Sequence, residues 1–357
     1  MKSLILCLIV VTTCVSCERQ LLGEAEPNSP ENNLELFWDD FDQHYGLFQA
    51  RGWNWDSIYQ VYQPQVNAQT TDAELWRICR EMIAYLDDSH TFLYDPSAGD
   101  FFASGSEEDS AVATEFSLEL LRNTYLDQVI EYDLSGEPDE SYLFGTIRDK
   151  KIAYLYLSDI EAEDEDFMDE VIPLVRANQA LILDLRNNTG GSDEIAAAIA
   201  GRFIAERELA FTVQTRNGPN HDDFTEKRKY YAEPLGEETF PPLGASAPNP
   251  LILLTDNITV SAAEVLCSYL KTRPHTTQIG DTTAGDFSDV GMRRFLPNGW
   301  QYQYSIMMYL QADGSSLDGI GHVPDLQVRN SLADLQASKD QVLERAMEFL
   351  SAEYGIE

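Results

Sequence analysis

The sequence predicts an α/β protein with a helical N-terminal cap and a larger core built on a mixed sheet. Three observations lead there. An aromatic-rich helical pattern fills residues 34–86. From Ile152 onward, apolar runs of strand length alternate with helical patterns, the mark of a parallel or mixed sheet covered by helices. The 357 residues are 43 % apolar and 24 % charged, a globular composition in a chain long enough for more than one domain.

Residues 1–16, MKSLILCLIVVTTCVS, place Lys2 before a short apolar run and a small-residue end, the form of a secretory signal peptide. The run is shorter than the ~20 residues a spanning helix needs. Ser16-Cys17 resembles the lipobox of bacterial lipoproteins, although Cys14 stands where Leu is usual. The resemblance implies a lipid on Cys17 and a protein anchored in the bacterial cell envelope, facing the periplasm or the exterior. An ordinary secretory signal cut near the same place is the other reading. Residues 17–33, with Pro27 and Pro30, read as a flexible tether.

Residues 34–95 form the expected helical cap. Leu75, Trp76, Cys79, Met82, Ile83 and Leu86 make one apolar stripe, with Thr71 or Asp72 as N-cap. Residues 96–150 are a connecting β segment, opening on a Gly/Ser/Asp-rich stretch, with strands expected at Phe116–Leu121, Gln128–Tyr132 and Tyr142–Ile147. Residues 151–357 form the core and a C-terminal helix. Its expected strands are Ile152–Leu157, Ala180–Leu185 and Leu251–Leu254. Its expected helices are Asp166–Asn178, Asp193–Ala205, Ala262–Lys271 and Lys339–Ala352. Phe295–Leu310 reads as two strands around Pro297-Asn298-Gly299. Cys79 and Cys267 fall in apolar helical patterns and are expected to be buried thiols, although an oxidising compartment would also permit a disulfide between them.

With 61 acidic and 24 basic residues the chain carries a formal charge of −37. Such a chain repels phosphate backbones, which excludes nucleic acid as a partner. It also repels an anionic membrane surface, so membrane attachment would rest on lipid at Cys17. The same field favours neutral or basic substrates. No metal or other cofactor is expected, because neither HExxH nor a Cys/His cluster occurs. The acidic run Glu161–Glu170 lacks calcium-loop spacing and reads as a solvated helix start.

Three turns could carry chemistry. In LILDLRNNTGGS, Gly190-Gly191 follow a buried strand and precede a helix, where backbone N–H groups can face a developing oxyanion. Two glycines also simply end strands. In LILLTDNITVSAAEV, Ser261 precedes a helix. Ser-Ala-Ala-Glu is a capping box, which alone would explain Ser261 and Glu264. A nucleophilic hydroxyl, with the Ala262 N–H supporting the oxyanion, is the other reading. The third turn is Asp88-Ser89-His90, where His90 is either a helix-end packing residue or the base that a serine nucleophile needs.

Taken in order, these segments resemble the tail-specific, or carboxyl-terminal processing, serine peptidase family. The matching stretches are LILDLRNNTGG, TVSAAE, IGDTTAGD and GIGHVPDLQV, with Gly321, Pro324 and Asp325 in the last. The resemblance runs from about Leu34 to about Val328. It implies a core of the ClpP/crotonase-like type, with Ser261 as nucleophile of an acyl-enzyme and a polypeptide as substrate. One branch of the family uses a Ser–Lys dyad, but the Lys position holds Asp286. The tricorn-core-like branch uses a Ser-His-Ser-Glu tetrad. Ser89-His90 is similar to its His and first Ser, and Asp318 stands where its Glu is found. The resemblance therefore implies His90 as base, Ser89 and Asp318 as its supports, and Gly190, Gly191 and Ala262 around the oxyanion. His322 is a second candidate base; His44, His221 and His275 read as surface or packing residues. No complete PDZ domain is expected in Asp95–Ile152, which lacks a Gly-Leu-Gly-Phe-like loop. The expected function is a serine endopeptidase of envelope proteins. The alternatives are an esterase using the same residues and a non-catalytic binding protein, since the fold also occurs in a retinoid-binding protein of the eye.

Overall fold

The computed structural model describes residues 26–105, 115–133, 141–161, 167–236 and 249–357. The signal segment, Cys17, most of the expected tether and part of the acidic run Glu161–Glu170 lie outside the described residues. The first helix, α1 (Pro30–His44), begins inside the stretch expected as tether. The cause is local: Ser29 Oγ accepts the Asn32 N–H at 3.3 Å, and Pro30 occupies the first turn, where a missing N–H costs nothing. Helices α2 (Phe48–Arg51), α3 (Trp55–Tyr62) and α4 (Asp72–Ala84) complete the cap. Helix α4 starts on a Thr71/Glu74 capping box and buries Leu75, Ile78, Cys79, Met82 and Ile83.

Strand β1 (Phe92–Asp95), at the end of the segment expected as helical cap, forms a hairpin with β2 (Asp100–Ala103) in the Gly/Ser/Asp-rich stretch. After it come β3 (Leu126–Asp133), β4 (Ser141–Ile147) and β5 (Ile152–Leu157), then α5 (Phe167–Arg176). Next are β6 (Ala180–Asp184), α6 (Asp193–Gly201), β7 (Glu208–Thr215) and β8 (Arg228–Ala232). Strand β9 (Leu251–Thr255) leads into α7 (Ala262–Leu270) and β10 (Thr276–Gly280). Short strands β11 (Arg294–Phe295), β12 (Gln301–Gln303), β13 (Met307–Gln311) and β14 (Leu326–Gln327) precede α8 (Leu332–Gln336) and α9 (Gln341–Tyr354).

The main sheet has the order β14-β10-β9-β6-β5-β4-β3. From β5 to β14 the pairings are parallel, and β4 and β3 add antiparallel. Every residue of β5, β6 and β9 is buried, as strands covered on both faces must be. The period-two alternation divides them cleanly. Leu181, Leu183, Leu251 and Leu253 pack under α5, α6 and α7, whereas Ile182, Ile252 and Leu254 pack under α9. Each such apolar side chain contributes about 1.5–3 kcal/mol when fully buried. Because β6 and β9 are parallel neighbours, paired Leu183 to Leu253, the turns at their C-terminal ends emerge side by side. Those turns carry Gly190-Gly191 and Ser261.

Two local expectations are corrected. Phe116–Leu121 is not a strand: Ser117 Oγ accepts the Leu120 N–H at 3.2 Å and starts a helical turn at Leu118–Leu120 that runs into a wider turn over Leu121–Tyr125. Tyr125 then anchors this segment to α9, its hydroxyl donating to Glu344 at 2.9 Å and accepting the Asp340 N–H at 2.9 Å. Phe295–Leu310 is not one hairpin. Strands β11 and β12 do pair around Pro297–Gly299, but the chain bends and β13 joins β7 and β8 in a separate sheet. Its aromatic residues complete the core of the cap, where Phe41 meets Tyr304 at 4.8 Å between ring centroids and Phe37 meets Tyr302 at 5.2 Å. Cys79 and Cys267 are free buried thiols as expected, not a disulfide, and burial pushes both up, that of Cys267 to about 12.

Candidate active site

The turn after β9 is held by Asp256, whose carboxylate accepts the N–H groups of Asn187, Ile258 and Thr259. Thr259 Oγ1 donates to the Leu185 carbonyl at 2.8 Å, and the Val260 N–H to the Asn188 carbonyl at 3.1 Å. The turn is thereby stitched to the exit of β6. Ser261, at its end, has φ +59° and ψ −124°. For a non-Gly residue this costs on the order of 1–3 kcal/mol, strain of a kind that collects at functional sites. Glu264 reaches back to the Ser261 N–H at 3.2 Å, as a capping partner would. The Ser261 hydroxyl lies 3.1 Å from His90 Nε2. The structure thus brings together two residues 171 positions apart.

Gly190 lies against the Ser261 turn. Its φ is +91°, and a Cβ there would stand 2.7 Å from Ser261 Cβ and 2.9 Å from the Val260 carbonyl oxygen. Asn188 sets the turn, its Oδ1 accepting the Gly190 N–H at 2.9 Å and its Nδ2 donating to the Leu157 carbonyl at 2.9 Å. The Gly190 N–H is therefore already bonded. Among the described residues no hydrogen bond engages the Gly191 or Ala262 N–H, so these two are the donors free to meet an oxyanion. Gly191 is held in place by Ile160, whose carbonyl accepts the Ser192 N–H at 2.8 Å and whose N–H donates to the Gly190 carbonyl at 2.7 Å. Gly190→Ala is expected to cost about 1–3 kcal/mol of stability through overpacking. It is also expected to lower turnover about 100-fold or more by displacing Ser261. Urea melts and steady-state kinetics on the same preparation check both.

His90 sits on the turn between α4 and β1. Its Nδ1 is buried and has no hydrogen-bond partner, and Asp88 Oδ1 stands 4.0 Å away. Neither Ser89 nor Asp318, expected to support His90, bonds to its ring among the described residues. The Ser89 N–H donates to Asp286 Oδ2 at 3.0 Å. Asp318 accepts from Ser316 Oγ at 2.9 Å and from the Phe287 N–H at 3.3 Å, and no bond joins it to His90 or Ser89 among the described residues. Aspartate is one methylene shorter than the glutamate of the resembled tetrad. Asp286 is buried and pairs with the Arg51 guanidinium, which also donates to the Gly285, Leu86 and Asp87 carbonyls. Arg51 thus clamps the cap to the loop after β10.

Glu264 braces that loop from below. It accepts the Thr283 hydroxyl at 2.6 Å and the N–H groups of Gly285 and Asp286 at 2.8 and 2.9 Å. Burial outweighs these donors and pushes the Glu264 carboxyl from 4.5 up to about 8. Its native pKa is raised, so the unfolded chain ionises first as pH rises. Stability held at low pH is then lost between 4.5 and about 8. The melting temperature should fall across that window, and Glu264→Gln should fall less steeply; parallel slopes would contradict this.

Beside Ser261 and His90 lies a cleft of about 410 Å³, lined also by Asp193, Glu194, Phe287 and Asp289. Asp193 accepts the Tyr309 hydroxyl at 2.8 Å, and burial pushes its carboxyl up to about 6. His322 packs behind the cleft, its ring 5.3 Å from that of Phe287 between centroids. It is buried with Nε2 at 3.0 Å from both Ser268 Oγ and the Glu264 carbonyl, and burial pushes it down to about 3, which removes it as a base. Sequence reasoning missed Arg51 and Asn188, and read Glu264 only as a cap. It also gave Asp88 no role, although its place two residues before His90 in DDSHT was a usable signal.

The fold and site define an α/β protein with a Ser–His pair at the N-terminus of a buried helix. Residues 151–328 match the model of peptidase family S41, and residues 27–84 match that of the tricorn protease C1 domain. The chain belongs to the S41 peptidase family. It is 24 % identical over 228 residues to a carboxy-terminal-processing protease of Bartonella bacilliformis, a match covering 63 % of this chain and 46 % of that protein. The chain thus spans less than half the length of that curated relative. A solved structure from Parabacteroides merdae is 26 % identical with a TM-score of 0.79, covering 91 % of this chain and 97 % of that one. Mature CPAF in complex with lactacystin, 11 % identical with a TM-score of 0.64, shares the fold over 91 % of this chain and 98 % of its own. Among the described residues no helix is long and apolar enough to cross a membrane.

Proposed function

We propose that the chain is a serine endopeptidase acting through an acyl-enzyme at Ser261. The observation that carries this is the 3.1 Å approach of His90 Nε2 to Ser261 Oγ beside an open cleft. His90 takes the hydroxyl proton as Ser261 Oγ attacks a peptide carbonyl carbon. The Ala262 and Gly191 N–H groups receive the oxyanion, aided by the positive end of α7. The imidazolium then returns the proton to the leaving amine, and water repeats the sequence to release the acid. Membership of the S41 family and similarity to carboxy-terminal-processing proteases support a polypeptide substrate. Asp193, Glu194 and Asp289 in the cleft agree with a preference for neutral or basic peptides. The test is peptide hydrolysis by the purified chain and its Ser261→Ala variant. Cleavage lost in the variant supports the proposal. Peptides or apolar ligands that bind without being cleaved would instead favour a binding protein, and turnover of esters alone an esterase.

The proposed setting is the bacterial cell envelope, with a lipid on Cys17 as anchor. Cys17→Ala is expected to move the protein from the membrane fraction to the soluble one and to remove the lipid mass from its N-terminal peptide. An unchanged distribution would contradict the anchor.

A further inference from the structure

We propose that Asp88, not Asp318, is the carboxylate that sets the orientation and tautomer of His90. This rests on the reading of Ser261 and His90 as nucleophile and base. A base at Nε2 needs its proton on Nδ1, and Nδ1 needs an acceptor to keep it there. His90 Nδ1 is buried and unpartnered. Among the described residues Asp88 is the one carboxylate within 4.0 Å of a His90 ring nitrogen. Its Oδ1 accepts the His90 backbone N–H at 3.1 Å, and its Oδ2 accepts the Thr91 hydroxyl at 2.8 Å. The chain therefore holds the carboxylate at the foot of the ring. Oδ1 keeps a second lone pair free for Nδ1, and a ring rotation closing about 1 Å completes the bond.

Other groups around the ring do not compete for this place. Asp193, on α6, acts on His90 across the cleft and accepts the Tyr309 hydroxyl. Asp286 is taken by Arg51 and the Ser89 N–H. Asp318 is taken by Ser316 and the Phe287 N–H. Arg51 lies within electrostatic reach of Asp88, Asp286 and Asp318, so the fully buried Asp88 carboxylate does not stand alone. Asp88 is thus a positioning residue: it touches the base and not the substrate.

The test is nitrogen-15 NMR of the imidazoles in a Ser261→Ala background, which needs no catalysis. The expected result is a neutral His90 protonated at Nδ1, a shift toward the Nε2 tautomer in Asp88→Asn, and no shift in Asp318→Asn. In the protein with Ser261 intact, Asp88→Asn should lower kcat about 100-fold or more with little change in KM. A tautomer indifferent to Asp88, or shifted as much by Asp318→Asn, would overturn the assignment. Should Asp88→Asn fail to fold, an experimental structure of the Ser261→Ala protein decides. Nδ1 within about 3.2 Å of Asp88 Oδ1 supports the assignment; Nδ1 on Ser89 or Asp318 overturns it. A chain with no hydrolytic activity but the expected tautomer shifts would overturn the peptidase reading and support the role of Asp88.

Discussion

Ser261→Ala is expected to reduce kcat by about 10⁴-fold or more while leaving KM within a few-fold of the parent. Removal of a catalytic serine in a comparable site costs up to ~10⁶-fold, and what survives comes from oxyanion donors and binding. Both remain here, since Ala262 and Gly191 present backbone N–H groups and the cleft is untouched. The fold should hardly notice the change. The donor to the Glu264 carboxylate is the backbone N–H of Ser261, so alanine keeps that bond. Steady-state kinetics together with a thermal melt separate the two effects. A large loss of activity accompanied by a large loss of stability would mean that Ser261 serves the helix start and not the reaction.

His90→Ala should have nearly the same effect, and Ser261→Ala/His90→Ala should be little worse than either alone. The hydroxyl is a weak nucleophile without its base, and the base has no task without the hydroxyl, so the two losses are not additive. Two independent roles would instead multiply. His90 is part-exposed on a turn, and its side-chain contact is with Ser261, so its removal should leave the cap folded. The double-mutant cycle on kcat is the measurement. Equal activity in His90→Ala and the parent would leave Ser261 without a base, since His322 is buried and engaged by Ser268 and the Glu264 carbonyl.

Much of the fold was legible in periodicity. β5, β6 and β9 announced themselves as short continuous apolar runs, and α4 as an amphipathic stripe closed by a capping box. The elements that escaped were held by distant partners. Strands β1 and β12 pair across more than half the chain, and β13 finds β7 in a sheet that no local pattern predicts. Phe116–Leu121 misled because aromatic and apolar residues fit either state, and a single Ser117 cap decided it.

The site divides the same way. Ser261, His90 and the two glycines sit in ordered motifs, so their residue types and sequence order pointed to them. Their supports depend on geometry. Arg51 meets Asp286 from 235 residues away, and Asn188 acts through a side chain lodged between two strand ends. Asp318 holds the expected position in its motif, but its oxygens face Ser316 and the Phe287 N–H, an orientation that no sequence pattern carries. Gly190 was grouped with the oxyanion donors, yet Asn188 already holds its N–H, and its part is to let the turn approach Ser261.

In the proposed mechanism His90 activates Ser261. Mass-spectrometric mapping of the adduct formed with a fluorophosphonate tests it most directly, in the parent and in His90→Ala. A single phosphonylated residue is expected, Ser261, with labelling at least ~10³-fold slower in the variant, in keeping with the worth of a general base. An adduct on another residue, or labelling of Ser261 at the same rate without His90, would contradict it.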